Sequence, residues 1–444
     1  MNKINLLYRN PQEFINHLKS KNIFRFYFVY DFQKKEVVAS HPELREISDF
    51  LNSDERDFSK HEGLFFQISK HHDVLFGAFI HQTNRGQAAG GVRFWTYQRI
   101  EEYMRDGLRL AKGMTLKNAL AGLWWGGGKG VIAHNPAIDK NDFDFRKAIY
   151  REYGSFITSL KGCYVTAEDA GTSVTDMKNV FSQTRFTTCI PESLGGSGNP
   201  SVPTARGVIS GMEAALFFHS RESLKNKTVA IQGAGNVGKP LIGILFDRGV
   251  KKIIVSDISQ ARLYNLMEKF KDKNLRIKLA TIDDDSIFEE ECDILSPCAT
   301  GAILNERTIP NIKARIVCGA SNNQLEDTER DDLLLHDLGI IYIPDFLTNR
   351  MGIVNCANEQ YGYVNNDTYI EKHLNREWEY SIYQTSLKVL NESKNSSLPP
   401  GKVAITLAEE LSKEEHPIFG HRGLQIIDSL RKNNWHTDHS LNAD

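Results

Sequence analysis

The chain has 444 residues, 41% of them hydrophobic and 25% charged, with a formal net charge of -2. That length exceeds what one core supports and implies two or three domains. The charge excludes a global basic field for nucleic acid, and no run of about 18 apolar residues is present to cross a membrane. Six cysteines without a Cys-x-x-Cys pair make no disulfide framework, and Met1 to Asn10 lacks a signal-peptide pattern, so the expected setting is a reducing cytoplasm.

In chain order, Pro11–Ser20 carries a helical pattern and Phe24–Tyr30 a strand-like one. Leu64–Gln67 and Val74–His81 read as strands around the polar turn Ser69–Asp73. Ile100, Tyr103, Met104, Leu108, Ala111 and Met114 recur at three- and four-residue steps, which predicts a long amphipathic helix, and the glycine cluster Gly126–Gly128 ends that region. Asp142–Leu160 reads as a helix and Cys163–Thr166 as a short strand running into the acidic turn Glu168-Asp169. Leu194–Pro203, rich in Gly, Ser, Asn and Pro, has the composition of a hinge or linker. Beyond it short apolar strands alternate with helices: Thr228–Gln232, Lys252–Ser256, Asp293–Ser296, Ile316–Gly319 and Ile340–Ile343. That rhythm predicts an α/β fold with a parallel, doubly wound sheet. Tyr369–Leu390 and Ala404–Ser412 look helical, and the last ~15 residues are polar and expected to fray.

Gly233-Ala234-Gly235-Asn236-Val237-Gly238 directly follows the strand Thr228–Gln232 and precedes a helical pattern. A lone G-x-G-x-x-G is weak evidence, but strand, helix and a later acid complete the dinucleotide context. Gly233 permits the tight turn, Gly235 leaves room for a pyrophosphate, and Gly238 lets helix and strand pack closely. The helix N-terminus then faces the phosphates. Asp257, at the end of the next strand, would accept hydrogen bonds from ribose hydroxyls and repel a 2′-phosphate, which favours NAD over NADP.

Four features of the first half raise a question of chemistry. Lys117 lies about one turn past Met114, near the apolar face of the long helix. Lys129 follows three glycines, and a desolvated lysine there would act as a base. Asp169 ends a strand within Thr166-Ala167-Glu168-Asp169-Ala170-Gly171-Thr172, and a carboxylate beside a lysine base makes a proton relay. Gly90-Gly91 marks a close backbone approach. Taken singly, each has a plainer reading: a snorkelling surface lysine, a solvated loop lysine, a capping aspartate and an ordinary glycine turn.

Taken in order, these segments resemble the glutamate/leucine/phenylalanine/valine dehydrogenases, and the leucine and phenylalanine branch most closely. The resemblance runs from about Glu62 to about Tyr363 and is weaker beyond. It rests on Gly90–Tyr97, Gly113–Asn118, Gly126–Lys129, Thr166–Thr172, Gly198–Ser201, Gly233–Gly238, Pro297–Ala299, Asn322–Leu325 and Pro344 through Asn355. It implies two domains with a deep cleft between them: an N-terminal α/β substrate-binding and oligomerisation domain over 1–198, with an N-terminal extension over 1–60, and an NAD-binding Rossmann domain over 199–370. Helices over 371–444 would pack back across both. Lys117 resembles the lysine that holds the substrate α-carboxylate, beside Gly90 and Gly91, and Asn323 a second carboxylate ligand. Lys129 resembles the low-pKa lysine that activates water, and Asp169 the aspartate that relays protons to and from the amino group. Thr204, Ala299 and Asn322 resemble residues lining the nicotinamide half of the site, with Gly233, Gly235, Asn236, Val237, Gly238 and Asp257 around the rest of NAD. The implied reaction is reversible oxidative deamination of an L-amino acid to a 2-oxo acid and ammonia, in a cytoplasmic homo-oligomer, with no metal, nucleic-acid or membrane partner.

The likeness departs from pattern in the side-chain pocket. Glutamate-specific relatives carry a lysine just before the Gly-Gly pair; Ala89 stands there and argues for an apolar substrate of leucine, valine or phenylalanine type. Arg350-Met351 replaces small residues of the leucine branch, so Arg350 either faces solvent or recognises a polar or acidic side chain. Trp124-Trp125 is bulkier than usual and would remodel the cleft. The alternatives are therefore a glutamate dehydrogenase using Arg350, or a catalytically silent regulatory protein on this fold. The N-terminal extension would serve as an oligomer contact or a regulatory addition.

Overall fold

The computed structural model describes residues 5–362, 364 and 366–437. A seven-stranded mixed sheet occupies the first part. Its strands are β1 (Arg25–Asp31), β2 (Glu36–Ala39), β3 (Gly63–Ile68), β4 (Leu75–Gln82), β5 (Ala88–Trp95), β6 (Gly126–Ala133) and β7 (Tyr164–Glu168), in the order β2-β1-β3-β4-β6-β5-β7. β5 runs parallel to β6 and β7, while the other pairs are antiparallel. Helices cover both faces: α1 (Pro11–Ser20), α2 (Arg45–Ser53) and α3 (Ile100–Leu120) on one, α4 (Phe143–Ser159) on the other, with α5 (Val174–Phe181) against α4. Strands buried on both faces need no polar alternation, and β3 to β6 are buried almost throughout.

That double burial is why β5 and β6 differ from expectation. Gly90-Gly91 and Gly126–Gly128 punctuate the sequence like loops, yet both lie inside strands. The glycines admit neighbouring backbone. A Cβ on Gly127 would stand 2.0 Å from Thr115 Oγ1, so α3 rests directly on β6. A Cβ on Gly90 would stand 2.0 Å from the Gly128 carbonyl, and one on Gly91 2.5 Å from that of Glu168. The close approach is strand on strand and helix on strand.

The N-terminal segment supplies two strands of this sheet and a core of its own, built around Phe14, Phe26, Phe28 and Phe66, rather than standing apart from it.

The chain then enters α6 (Ser201–Ser220), a helix beginning within the segment read as a linker. A six-stranded, all-parallel sheet follows: β8 (Thr228–Gln232), β9 (Lys252–Asp257), β10 (Leu275–Leu279), β11 (Ile294–Pro297), β12 (Ile316–Val317) and β13 (Ile341–Tyr342), ordered β10-β9-β8-β11-β12-β13. Its helices are α7 (Gly238–Asp247), α8 (Gln260–Lys269) and α9 (Arg330–Asp337), then α10 (Asp345–Thr348) and α11 (Met351–Glu359). The edge strand β10 was not expected; it is short and half-exposed, so its pattern is weak.

The tail forms α12 (Thr368–Leu374), α13 (Ile382–Ser396), α14 (Pro400–Ser412) and α15 (Arg422–Lys432). α13 packs on α6 and α14 on α3. Of the tail expected to fray, 438–444 lie outside the described residues, but Trp435 is buried edge-on against Phe65 and donates to Ser159 Oγ at 3.0 Å. Among the described residues no helix is long and apolar enough to cross a membrane.

Gly127→Ala is expected to destabilise the fold by about 3 kcal/mol or more, because the new methyl meets helix backbone as well as Thr115. Urea unfolding measures this.

Candidate active site

Lys129 lies in the middle of β6 with only 5% of its surface exposed. Its ammonium is in close contact with the Asp169 carboxylate, just beyond the end of β7. Gly91 makes this possible, since a Cβ there would stand 2.7 Å from Asp169 Cβ. The Thr172 hydroxyl, which accepts from Asp169 N–H at 2.8 Å, fixes the turn. Burial pushes the Lys129 ammonium well below the ordinary lysine range, and the nearby Arg93 charge adds to this.

Lys117 sits in the last turn of α3, and its Nζ donates to Asn322 Oδ1 at 3.3 Å. Burial lowers its pKa too, against the attraction of Asp345. Burial is the largest cause at both lysines, and the charge of Lys117 adds to the lowering at Lys129. Asn118 anchors this turn by donating to the Gly126 carbonyl at 2.6 Å.

Asn323 takes a left-handed φ of 52°, and its N–H donates to Asp345 Oδ2 at 2.9 Å. Asn349 donates to Asn322 Oδ1 at 2.8 Å and to the Ala320 carbonyl at 3.1 Å. Asp345 and Asn349 were missed as site residues. Both lie in the segment Pro344 through Asn355 that carries part of the resemblance, and that was the available signal.

The parallel sheet carries the glycine turn at the end of β8. Gly233 has φ +98°, closed to other residues, and its Cβ position abuts Ala299. A Cβ on Gly238 would strike the Gly233 carbonyl, whereas one on Gly235 would meet nothing within 4 Å. Asn236 and Val237 complete the turn into α7, which has no side-chain N-cap; the Lys239 N–H already donates to the Gly235 carbonyl at 3.0 Å. A groove of about 520 Å³ lies over Gly235 and Asn236, with Lys239 and Arg262 at its margin. Open space at Gly235, an uncapped helix N-terminus and flanking cations fit a dinucleotide pyrophosphate. Asp257 already accepts from Ala234 N–H and Ser259 N–H, both at 2.7 Å, and keeps lone pairs for further donors. Thr204 lies on α6 facing Gly352, its hydroxyl donating to the Pro200 carbonyl at 2.9 Å.

One expectation for the pocket is corrected. Arg350 neither faces solvent nor meets a carboxylate. It is 0% exposed, donates to the Leu120 carbonyl at 2.6 Å and contacts the Tyr380 carbonyl. Burial pushes it down to about 9. The Arg85 guanidinium lies 4.2 Å from the centre of the Trp124 ring, His416 lies beside the same ring, and Trp125 is buried.

A buried lysine–aspartate pair, a second lysine beside an asparagine loop and a glycine-turn groove form one constellation, and the match to known proteins decides its family. The Glu/Leu/Phe/Val dehydrogenase dimerisation domain matches residues 69–186, and the glutamate/leucine/phenylalanine/valine dehydrogenase domain matches 195–414. The chain belongs to this dehydrogenase family. It is 42% identical to the leucine dehydrogenase of Geobacillus stearothermophilus over 333 residues, 74% of this chain and 85% of that one. It is 36% identical to the phenylalanine dehydrogenase of Lysinibacillus sphaericus over 343 residues, 75% and 86% of the two chains. The fold is similar to L-tryptophan dehydrogenase from Nostoc punctiforme, with TM-score 0.65 and 31% identity over 79% of this chain and 96% of that one. The dehydrogenase is thus an NAD(P)-dependent oxidoreductase acting on CH–NH2 groups, of the leucine, phenylalanine and valine branch.

Glu168, next to Asp169, is a further titratable group of this dehydrogenase. Burial, with help from Asp176, raises its carboxyl to about 7 from 4.5. Between those values the folded chain holds a proton that the unfolded chain has lost, so stability falls as pH rises through that window. Glu168→Gln is expected to remove that slope and to be more stable than the parent above pH 7 by about 1–2 kcal/mol, discounted for partial exposure. Urea unfolding at several pH values measures both.

Proposed function

We propose that this dehydrogenase uses NAD to deaminate an apolar L-amino acid of leucine, valine or phenylalanine type, reversibly, to its 2-oxo acid and ammonia. The observation that carries the reading is the sheet-buried Lys129 against Asp169, with no cation offered by Ala89 before the Gly-Gly pair. Commitment of Arg350 to two backbone carbonyls removes it as a partner for a substrate carboxylate and speaks against glutamate.

Lys117 and Asn323 hold the substrate carboxylate over Gly90 and Gly91, with Asp345 and Asn349 positioning the asparagine loop. Gly233 to Gly238 would hold the pyrophosphate of NAD, Asp257 its adenosine ribose and Thr204, Ala299 and Asn322 its nicotinamide, and the cofactor would supply the hydride acceptor. Lys129, neutral once it has lost its proton, takes a proton from the attacking water. Asp169 passes protons to and from the substrate nitrogen, and its charge steadies Lys129 when protonated. Residues 1–198 act as the substrate and oligomerisation domain, 199–370 as the NAD domain and 371–444 as helices bracing both, in a cytoplasmic homo-oligomer.

The test is NAD reduction, followed by absorbance, across L-leucine, L-valine, L-phenylalanine, L-tryptophan and L-glutamate. Strong turnover on an apolar member is expected, and turnover on glutamate alone overturns the reading. Oxidative kcat/KM is expected to rise with pH through a titration well below 10.5, because Lys129 must be neutral to accept a proton. Lys129→Ala is expected to lower kcat by about 10²–10⁴-fold with NAD binding, by calorimetry, nearly intact. Asp257→Ala is expected to weaken NAD relative to NADP; an unchanged ratio removes Asp257 from the site.

A further inference from the structure

Cys189 and Cys356 stand 167 residues apart in sequence, yet their sulfurs are 3.2 Å apart. That is about 1.2 Å beyond the ~2.05 Å of a disulfide. Both thiols are buried, at 1% and 3% exposure. Their neighbourhood joins the two sheets. Thr187 pairs with Thr166 of β7, and Thr188 N–H donates to the Thr166 carbonyl at 2.9 Å, so the stretch before Cys189 extends the sheet whose β7 leads into Asp169. Cys356 lies on α11, which packs on α6 and follows the Asp345 and Asn349 anchors of the asparagine loop.

The joint is already clamped. Glu359, one turn beyond Cys356, accepts from Cys189 N–H at 3.0 Å, Ile190 N–H at 3.2 Å and Ser197 N–H at 3.1 Å. Gln360 donates to the Thr187 carbonyl at 3.1 Å. Cys189 itself is held at φ +59°, an uncommon conformation for a residue with a side chain. The clamp presents one sulfur to the other.

We propose that Cys189 and Cys356 are a disulfide site, closed by a peroxide, that locks the joint between the two sheets and slows turnover. One thiol is oxidised to a sulfenic acid as the peroxide is reduced and a water leaves. The second sulfur attacks that sulfur, the S–S bond forms and a second water leaves. Two thiols and one peroxide give one disulfide and two waters. The contact with Cys356, together with burial, holds the Cys189 thiol far above the ordinary range, so closure is slow near neutrality and faster in alkali. Formation of the bond is independent of the assigned reaction; only its effect on turnover rests on that reading.

The full-length protein is treated with hydrogen peroxide at alkaline pH, alkylated, digested without reductant and mapped by mass spectrometry, with thermal unfolding and NAD reduction read in parallel. Expected are a Cys189–Cys356 linked peptide, a raised Tm, and turnover reduced at least 5-fold and restored by dithiothreitol. Cys356→Ser, and Cys356→Ala as a second variant, should keep turnover under peroxide. Recovery of both cysteines as free, alkylated thiols overturns the site. A linked peptide with unchanged turnover overturns the lock, as does equal loss in the Cys356 variants. If the untreated protein is inactive on every amino acid, the peptide map and Tm still decide whether the bond forms, and the reaction alone is withdrawn.

Discussion

An ammonium group in the interior of a β-sheet is costly unless something opposite in charge lies against it. Lys129 meets this constraint through its ion pair with Asp169, helped by the charge of Asp106, and the surrounding geometry follows. β5 lies between the strands that lead to the two groups, and its paired glycines let those strands close in. The triple glycine of β6 lets α3 settle against the same strand and brings Lys117 along with it. The dryness that makes the pair costly also moves the Lys129 titration toward the range where a base is useful.

Arg350 provides the complementary tie. Its guanidinium meets the carbonyl of Leu120, the last residue of α3, where the helix dipole favours a cation. It also meets the Tyr380 carbonyl, just ahead of α13. One side chain therefore couples the helix bearing Lys117, the α10–α11 junction and the C-terminal helices. Among the described residues no carboxylate pairs with it, and its Nε has no hydrogen-bond partner, which is the imperfect solvation that its lowered pKa reflects.

Much of this was legible in the sequence. Pro11–Ser20 and Thr228–Gln232 were read to the residue, because a proline-led capping box and an apolar run before a glycine turn leave little choice. β5 and β6 were not, since glycines chosen for close packing look the same as glycines chosen for turns. α6 was missed because its apolar residues go all round, with no face for periodicity to detect. At the site, lysines and acids beside distinctive glycines were visible one by one. Their meeting across 40 residues of chain, and the supporting parts of Asp345 and Asn349, depend on strand order that no local pattern encodes. Arg350 was misjudged because arginines are usually exposed, and only the converging carbonyls explain its burial.

The return of the C-terminal segment to the first sheet sets an order of events during synthesis. Trp435 fills the space between Phe65 and Phe156, and Arg431 pairs with Asp31 at 3.2 Å. The sheet that emerges first from the ribosome, whose last strand ends at Glu168, therefore waits for 267 more residues before Trp435 seals its core. In the interval its aromatic face is open, and the parallel sheet must fold in the presence of an unfinished neighbour. A nascent chain stalled before Trp435 would carry every residue of the candidate site and still expose the hydrophobic surface that chaperones bind.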